Sequence, residues 1–203
     1  MRRQLLPSII SMLLFTLILG VGFPLVITGI AQVAFNDKAD GSIVERDGKA
    51  VGSELIGQAF VDAKGRPIRK YFQSRPSAAL GADGTTEVGY DPTLSSGSNL
   101  GPTNPDLLKE VARRVRAYRR LNGLAPTVEV PVDAVTASAS GLDPDISVAN
   151  ARLQAKRVAE TRGLSVERVR ALIDDHTSGR TLGVLGEKTV NVLELNLALD
   201  RVR

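Results

Sequence analysis

The residues best suited to chemistry in this chain lie in three polar stretches and one histidine. Ser95 to Pro105 reads SSGSNLGPTNP, with hydroxyls and amides set around two glycines. Loops of that composition either cradle a phosphate through their backbone N–H groups or make the turn before a helix. A Walker-type loop needs a lysine and an adjoining hydroxyl to handle charge and magnesium, and the next lysine here is Lys109. A serine nucleophile needs a base at hand, yet the only histidine is His176, and Gly97-Ser98-Asn99-Leu100-Gly101 is not a nucleophile elbow. His176 follows Asp174 and Asp175 where a helix should end, so its imidazole is placed to serve the final carbonyls. With no cysteine and one histidine, neither a disulfide nor a metal site is expected. We expect no independent catalytic residue.

Two further stretches are candidates for contact. Arg75 stands in Tyr71-Phe72-Gln73-Ser74-Arg75-Pro76-Ser77, among aromatics and hydroxyls. Its planar fork suits an anion or a partner carboxylate, or a salt bridge within the fold. From Asp133 to Pro144 the sequence DAVTASASGLDP alternates hydroxyls with small apolar residues before a turn. Ser138 and Ser140 are suited to an external contact, or to satisfying the backbone of their own loop.

These stretches need elements to hold them. Asn104 as cap and Pro105 at the first helical position predict a helix, with Leu108, Val111, Val115 and Tyr118 inward and Gly123 closing it. Its other surface carries Arg113, Arg114, Arg116, Arg119 and Arg120, either a solvated face or a contact for anionic lipid or an acidic partner. Ser147 caps a second helix ending before Gly163, and Ser165 a third with Val166, Val169, Leu172 and Ile173 facing inward. Val190 to Asp200 alternates like a strand, but its leucine, alanine and glutamate favour a helix capped by Asn191. Glu54 to Phe60 and Arg69 to Phe72 read as short strands between turns.

The strongest signal is at the N-terminus. No charge occurs in the 33 residues from Gln4 to Asn36, whereas a helix needs about 20 apolar residues to cross a bilayer core. The run is too long for a signal peptide and Gly29-Ile30-Ala31 is a poor cleavage site, so residues 1–36 are expected to be a short cytoplasmic N-terminus and an uncleaved anchor. Pro24 predicts a bend near Gly20 to Pro24, and Gly22 and Gly29 share a face that lets another helix approach. Arg2 and Arg3 precede the span while Asp37, Lys38 and Asp40 follow it, which puts the N-terminus inside and residues 37–203 outside. Of 26 basic residues, 24 remain beyond Arg2 and Arg3, against 22 acidic ones, which gives nucleic-acid binding little support. The expected architecture is one transmembrane helix followed by one compact extracytoplasmic α+β domain.

Several long stretches in fixed order resemble the C subunit of the bacterial Kdp-type potassium-transporting P-type ATPase. They are Gly52 to Gln58, Tyr71-Phe72 to Arg75-Pro76-Ser77-Ala78, Ser96 to Pro105, Asp133 to Pro144 and Val190-Asn191-Val192-Leu193, behind a single N-terminal span. One departure is Asp145, where the family usually has histidine after Asp143-Pro144.

The resemblance implies an accessory, non-catalytic subunit of a high-affinity potassium uptake complex in the bacterial plasma membrane. Its partners there are a channel-like potassium-translocating subunit, an ATP-hydrolysing subunit and the membrane lipids. The family is described as raising the ATP affinity of the hydrolysing subunit. That description makes Ser96, Ser98 and Asn99, with Arg75, Ser138 and Ser140, a nucleotide or partner contact, with no cofactor held tightly and ATP met only through the complex. ATP is cytoplasmic, whereas the flanking charges put these residues outside, and we follow the charges for location. The alternative of a different class is a stand-alone, membrane-anchored extracytoplasmic ligand-binding protein.

Overall fold

A computed structural model describes residues 2–80 and 89–202. The chain forms two compact units, Met1–Ser53 and Glu54–Arg203.

In the first unit, helix α1 (Arg2–Leu17) runs through a π-helical turn (Ile18–Gly22) into α2 (Phe23–Ala34). The segment Arg3–Ala34, 32 residues containing an 18-residue window of mean hydropathy 2.5, is long and apolar enough to cross a membrane. The π turn falls where the sequence predicts a bend. Phe23 N–H bonds Ile18 O, five residues back, and the extra residue leaves Pro24 at the start of a fresh helical segment where its missing N–H costs little. After a single turn, α3 (Asn36–Ala39), strands β1 (Ile43–Arg46) and β2 (Lys49–Ser53) form an antiparallel hairpin. Asp47 and Gly48 at its tip both have positive φ, 53° and 72°, as a tight two-residue turn between twisted strands requires.

The second unit is mixed helix and sheet. Helix α4 (Pro105–Asn122) starts on the Asn104 cap, whose side chain accepts from Asp106 N–H, and closes at Gly123 with φ 64°. Its inner face differs from expectation. Leu108 is 57% exposed, and the adjacent Leu107 is the one half-buried. The arginine face is not wholly solvated either. Arg114 donates to Val135 O and pairs with Glu110, while Arg119 grips Val128 O at 2.7 Å, so these two tie α4 to the following loop.

Strand β3 (Asp145–Ser147) leads into α5 (Val148–Arg162), then α6 (Val166–Asp175), β4 (Thr177–Ser178), β5 (Thr189–Asn191) and α7 (Val192–Arg201). The antiparallel sheet has the order β3-β5-β4, with Ile146 opposite Val190. Ser147, Ser165 and Asn191 each cap the following helix as the sequence predicts. The ambiguous C-terminal stretch resolves as a three-residue strand followed by a helix. The core gathers Phe72, Ile146, Val158, Ile173, Val190 and Leu195 with their neighbours on α5, α6 and α7.

Glu54 to Phe60 and Arg69 to Phe72 are not strands. The second is held by side chains from α5 and α7 in place of a ladder. Asn196 accepts from Phe72 N–H at 2.8 Å and donates to Phe72 O at 3.0 Å. Gln154 does the same for Gln73, at 2.8 and 3.1 Å. Arg157, 1% exposed, donates to Arg69 O and Tyr71 O from the segment and to the side chains of Asn122 and Gln154. Burial and the neighbouring Arg69 charge lower its guanidinium pKa to about 10, which leaves it protonated at neutral pH. These amides and the guanidinium supply the partners that buried backbone groups require, and Phe72 is thereby seated in the core at 0% exposure.

Candidate functional site

The polar stretches singled out by type and spacing meet in one cluster of loops in the second unit. Arg75 Nη1 pairs with Asp143 Oδ2 at 2.8 Å, with both side chains partly exposed, so the guanidinium is taken up within the fold. Its Nε is buried and has no hydrogen-bond partner among the described residues. Ser138 N–H donates to Pro76 O at 2.9 Å, joining the Arg75 segment to the serine loop. Within that loop, Ser138 Oγ accepts from Gly141 N–H and Ser140 Oγ accepts from Leu142 N–H, both at 3.1 Å. Of the two readings of Ser138 and Ser140, the geometry supports the one in which hydroxyls satisfy their own backbone.

The stretch that includes Ser96 lies against this loop. Ser95 Oγ donates to Ser140 O at 3.0 Å. Two glycines set the spacing. A Cβ on Gly97 would lie 2.8 Å from Ala139 O, and one on Gly141 would lie 2.8 Å from Ser96 O. Gly141 also has φ 73°, which favours glycine independently. Gly57 closes the other side. Its N–H donates to Leu142 O at 2.9 Å, and a Cβ there would come within 2.5 Å of Asp143 O.

Ser96, Ser98 and Asn99 are exposed on this platform. Asn99 has φ 51°, a left-handed conformation that asparagine tolerates better than most residues. Thus Arg75, Ser96, Ser98, Asn99, Ser138 and Ser140 all belong to one cluster. A shallow groove of about 540 Å³ beside it is lined by Leu55, Ile56, Arg75, Ser138, Leu142 and Asp143 among others.

Tyr90 is a member that sequence reasoning missed. Its hydroxyl donates to Arg75 O at 2.7 Å, and its ring covers Gly57. Burial raises its pKa, so the phenol stays a neutral donor. An isolated tyrosine in a polar stretch gives no periodic signal, and its role depends on contact with Arg75 and Gly57.

His176 lies outside the cluster, at the end of α6, with Nδ1 2.8 Å from Leu172 O. Asp145 lies in β3, where its carboxylate accepts from Thr189 Oγ1 at 2.8 Å. It also bears on Glu194, whose pKa is raised first by burial and then by the negative charges of Glu54 and Asp145, against a lowering effect of His176. A raised folded-state pKa means that protonation of Glu194 favours the fold. That stabilisation is fully present below the usual value of 4.5 and is lost as pH rises through the higher folded value. Melting curves of Glu194→Gln across this range should therefore lose part of the wild-type decline with rising pH. An unchanged profile would assign the decline to other groups.

Gly22, Pro24 and Gly29 belong to the first unit. Gly22 ends the π turn, Pro24 lies in the first turn of α2, and a Cβ on Gly29 would meet nothing within 4 Å. Gly29 is thus an open position on the helix surface.

Comparison with known proteins follows the same residues. The sequence model of the family described as KdpC, K+-transporting ATPase, c chain, matches residues 5–201. The chain is 56% identical over 202 residues, all of both chains, to the potassium-transporting ATPase KdpC subunit of Mycobacterium tuberculosis. It is 50% identical over 197 residues, covering 97% of this chain and 96% of the relative, to the subunit of that name from Geobacter metallireducens. The subunit of that name from Sorangium cellulosum is 50% identical over 205 residues, all of both chains. The chain belongs to the KdpC family, the c chain of K+-transporting ATPases.

Proposed function

We propose that the chain is a non-catalytic accessory subunit of an ATP-driven potassium uptake complex in the bacterial plasma membrane. In this reading a channel-like subunit conducts potassium, a second subunit hydrolyses ATP, and this chain stabilises their assembly and assists hydrolysis. The observation that carries the reading is the loop cluster. The hydroxyls of buried Ser138 and exposed Ser140 bond the backbone of their own loop, while Ser96, Ser98 and Asn99 are exposed on a braced platform. Such an arrangement suits recognition of a surface, because preorganised loops lose little entropy on binding. The one histidine of the sequence, His176, is engaged at a helix end.

Location follows from the flanking charges. Arg2 and Arg3 before the span favour a cytoplasmic N-terminus, which leaves the larger unit outside, over the potassium entrance. ATP is then reached only through the complex, and this chain holds no tightly bound cofactor. The span, through Gly22 of the π turn and Gly29 of α2, packs against a membrane helix of a partner.

Gentle solubilisation of a tagged chain tests the reading. Larger membrane subunits should co-purify with it in fixed proportion. Recovery of the chain alone, carrying a small ligand, would replace this account with that of a stand-alone binding protein.

A further inference from the structure

Leu182 departs from two ordinary preferences at once. Its φ of 54° lies in the left-handed region, where glycine or asparagine is the residue that folding favours. Its side chain is 86% exposed, where a polar residue would be the usual choice. Val184 and Leu185 beside it are 73% and 58% exposed, so the hairpin tip presents three apolar side chains together.

The tip is built rigidly. Thr181 and Leu185 exchange backbone hydrogen bonds at 2.9 Å in both directions, and Gly183 N–H donates to Arg180 O at 3.0 Å. At the base, Arg180 Nη2 contacts both carboxylate oxygens of Glu187, at 2.9 and 2.8 Å. A preorganised apolar tip that does nothing for its own fold is what an interface anchor requires.

The surroundings favour a protein over a bilayer. An interfacial membrane anchor sets its apolar residues in a collar of Lys and Arg. Here the adjoining cavity, about 850 Å³, is lined by both signs, with Arg152 paired to Asp174 and Arg180 to Glu187. Charges of both signs beside an apolar patch suit the polar rim and apolar core of a protein interface. Lys188, exposed on the same rim, has no ion pair among the described residues and is left to meet a carboxylate.

We propose that the Thr181–Leu185 hairpin is an assembly contact, its apolar tip seated in an apolar depression on another subunit of the transporter, with a carboxylate of that subunit on Lys188. This rests on the subunit reading given above. The test uses the full chain co-expressed with the transporter's other subunits. Leu182→Asn and Leu182→Gly suit the left-handed backbone better, so the isolated chain should melt at or above the wild-type temperature. Retention in the purified complex should nevertheless fall at least about tenfold for both variants, as for a lost interface anchor.

Variants retained like wild type would overturn this assignment alone. So would unchanged retention accompanied by lost binding to anionic phospholipid vesicles, or by lost self-association of the isolated chain. A wild-type chain that is not retained would overturn the subunit reading and this assignment with it.

Discussion

Replacing Arg157 with methionine should destabilise the Glu54–Arg203 unit by about 3–5 kcal/mol, because a buried hydrogen-bond network loses its central donor. The guanidinium is 1% exposed and serves two backbone carbonyls, Arg69 O and Tyr71 O, together with Asn122 Oδ1 and Gln154 Oε1. Methionine fills similar space but takes the Arg157 donor from Arg69 O and Asn122 Oδ1, while Tyr71 O and Gln154 Oε1 keep their bonds from Gln73. Unsatisfied buried acceptors cost about 1–3 kcal/mol each before any relaxation. Since domains are stable by only about 5–15 kcal/mol, the loss is a large share of the total. It should appear as a melting temperature lower by about 10 °C in the full chain, at roughly 2–4 °C per kcal/mol for a unit of this size. Arg157→Lys should rescue little, because one ammonium cannot reproduce a planar fork that reaches several acceptors. A shift within about 2 °C for both variants would show that the 69–73 segment is held by other contacts.

The second large effect is expected at Gly141. Alanine there places a Cβ 2.8 Å from Ser96 O, 3.1 Å from Ser77 Oγ and 3.2 Å from Ala79 Cβ, on a backbone with φ 73°. Overpacking of this kind costs about 1–3 kcal/mol, and the left-handed backbone adds about 1 kcal/mol for a residue with a Cβ. Gly123→Ala provides the control. Its φ of 64° is similar, but a Cβ there meets nothing within 4 Å, so only the backbone cost applies. Thermal melts of the two variants should therefore differ by the packing contribution alone. If the cluster is the contact platform, Gly141→Ala should also lower co-purification with the larger subunits, while Gly123→Ala should not. Equal behaviour of the two variants would remove the close approach of Ser96 to Gly141 as a determinant of the site.

The elements that the sequence reveals are those specified by neighbouring residues. Asn104 with Pro105, Ser147, Ser165, Asn191, Gly123 and Gly163 mark helix ends because capping is decided within three or four residues. The Leu107–Leu108 exchange shows the limit of periodicity. Adjacent leucines lie about 100° apart on a helix, and periodicity alone does not say which of the two turns inward. The Asp47-Gly48 hairpin carries its turn signal openly, but its flanking strands are too short and too polar to stand out.

The segment at Arg69 to Gln73 was not legible as built. Its partners lie 81, 86 and 124 positions away in Gln154, Arg157 and Asn196, and no local pattern reports such pairings. The site divides in the same way. For Ser138 and Ser140, local backbone bonding was one of two readings open in the sequence, whereas the Arg75–Asp143 pair, the Tyr90 contact and the glycine seams are long-range.

The measurement that bears most directly on the central claim is thiol labelling of Ser98→Cys. The chain has no cysteine, so this variant carries a single reactive group, on an exposed residue of the loop cluster. A membrane-impermeant thiol reagent applied to intact cells should label it when the other transporter subunits are absent. The same position should be protected when those subunits are present, because it then faces a partner. Labelling only after lysis would place the cluster in the cytoplasm and contradict the account, returning Ser96, Ser98 and Asn99 to a direct nucleotide contact.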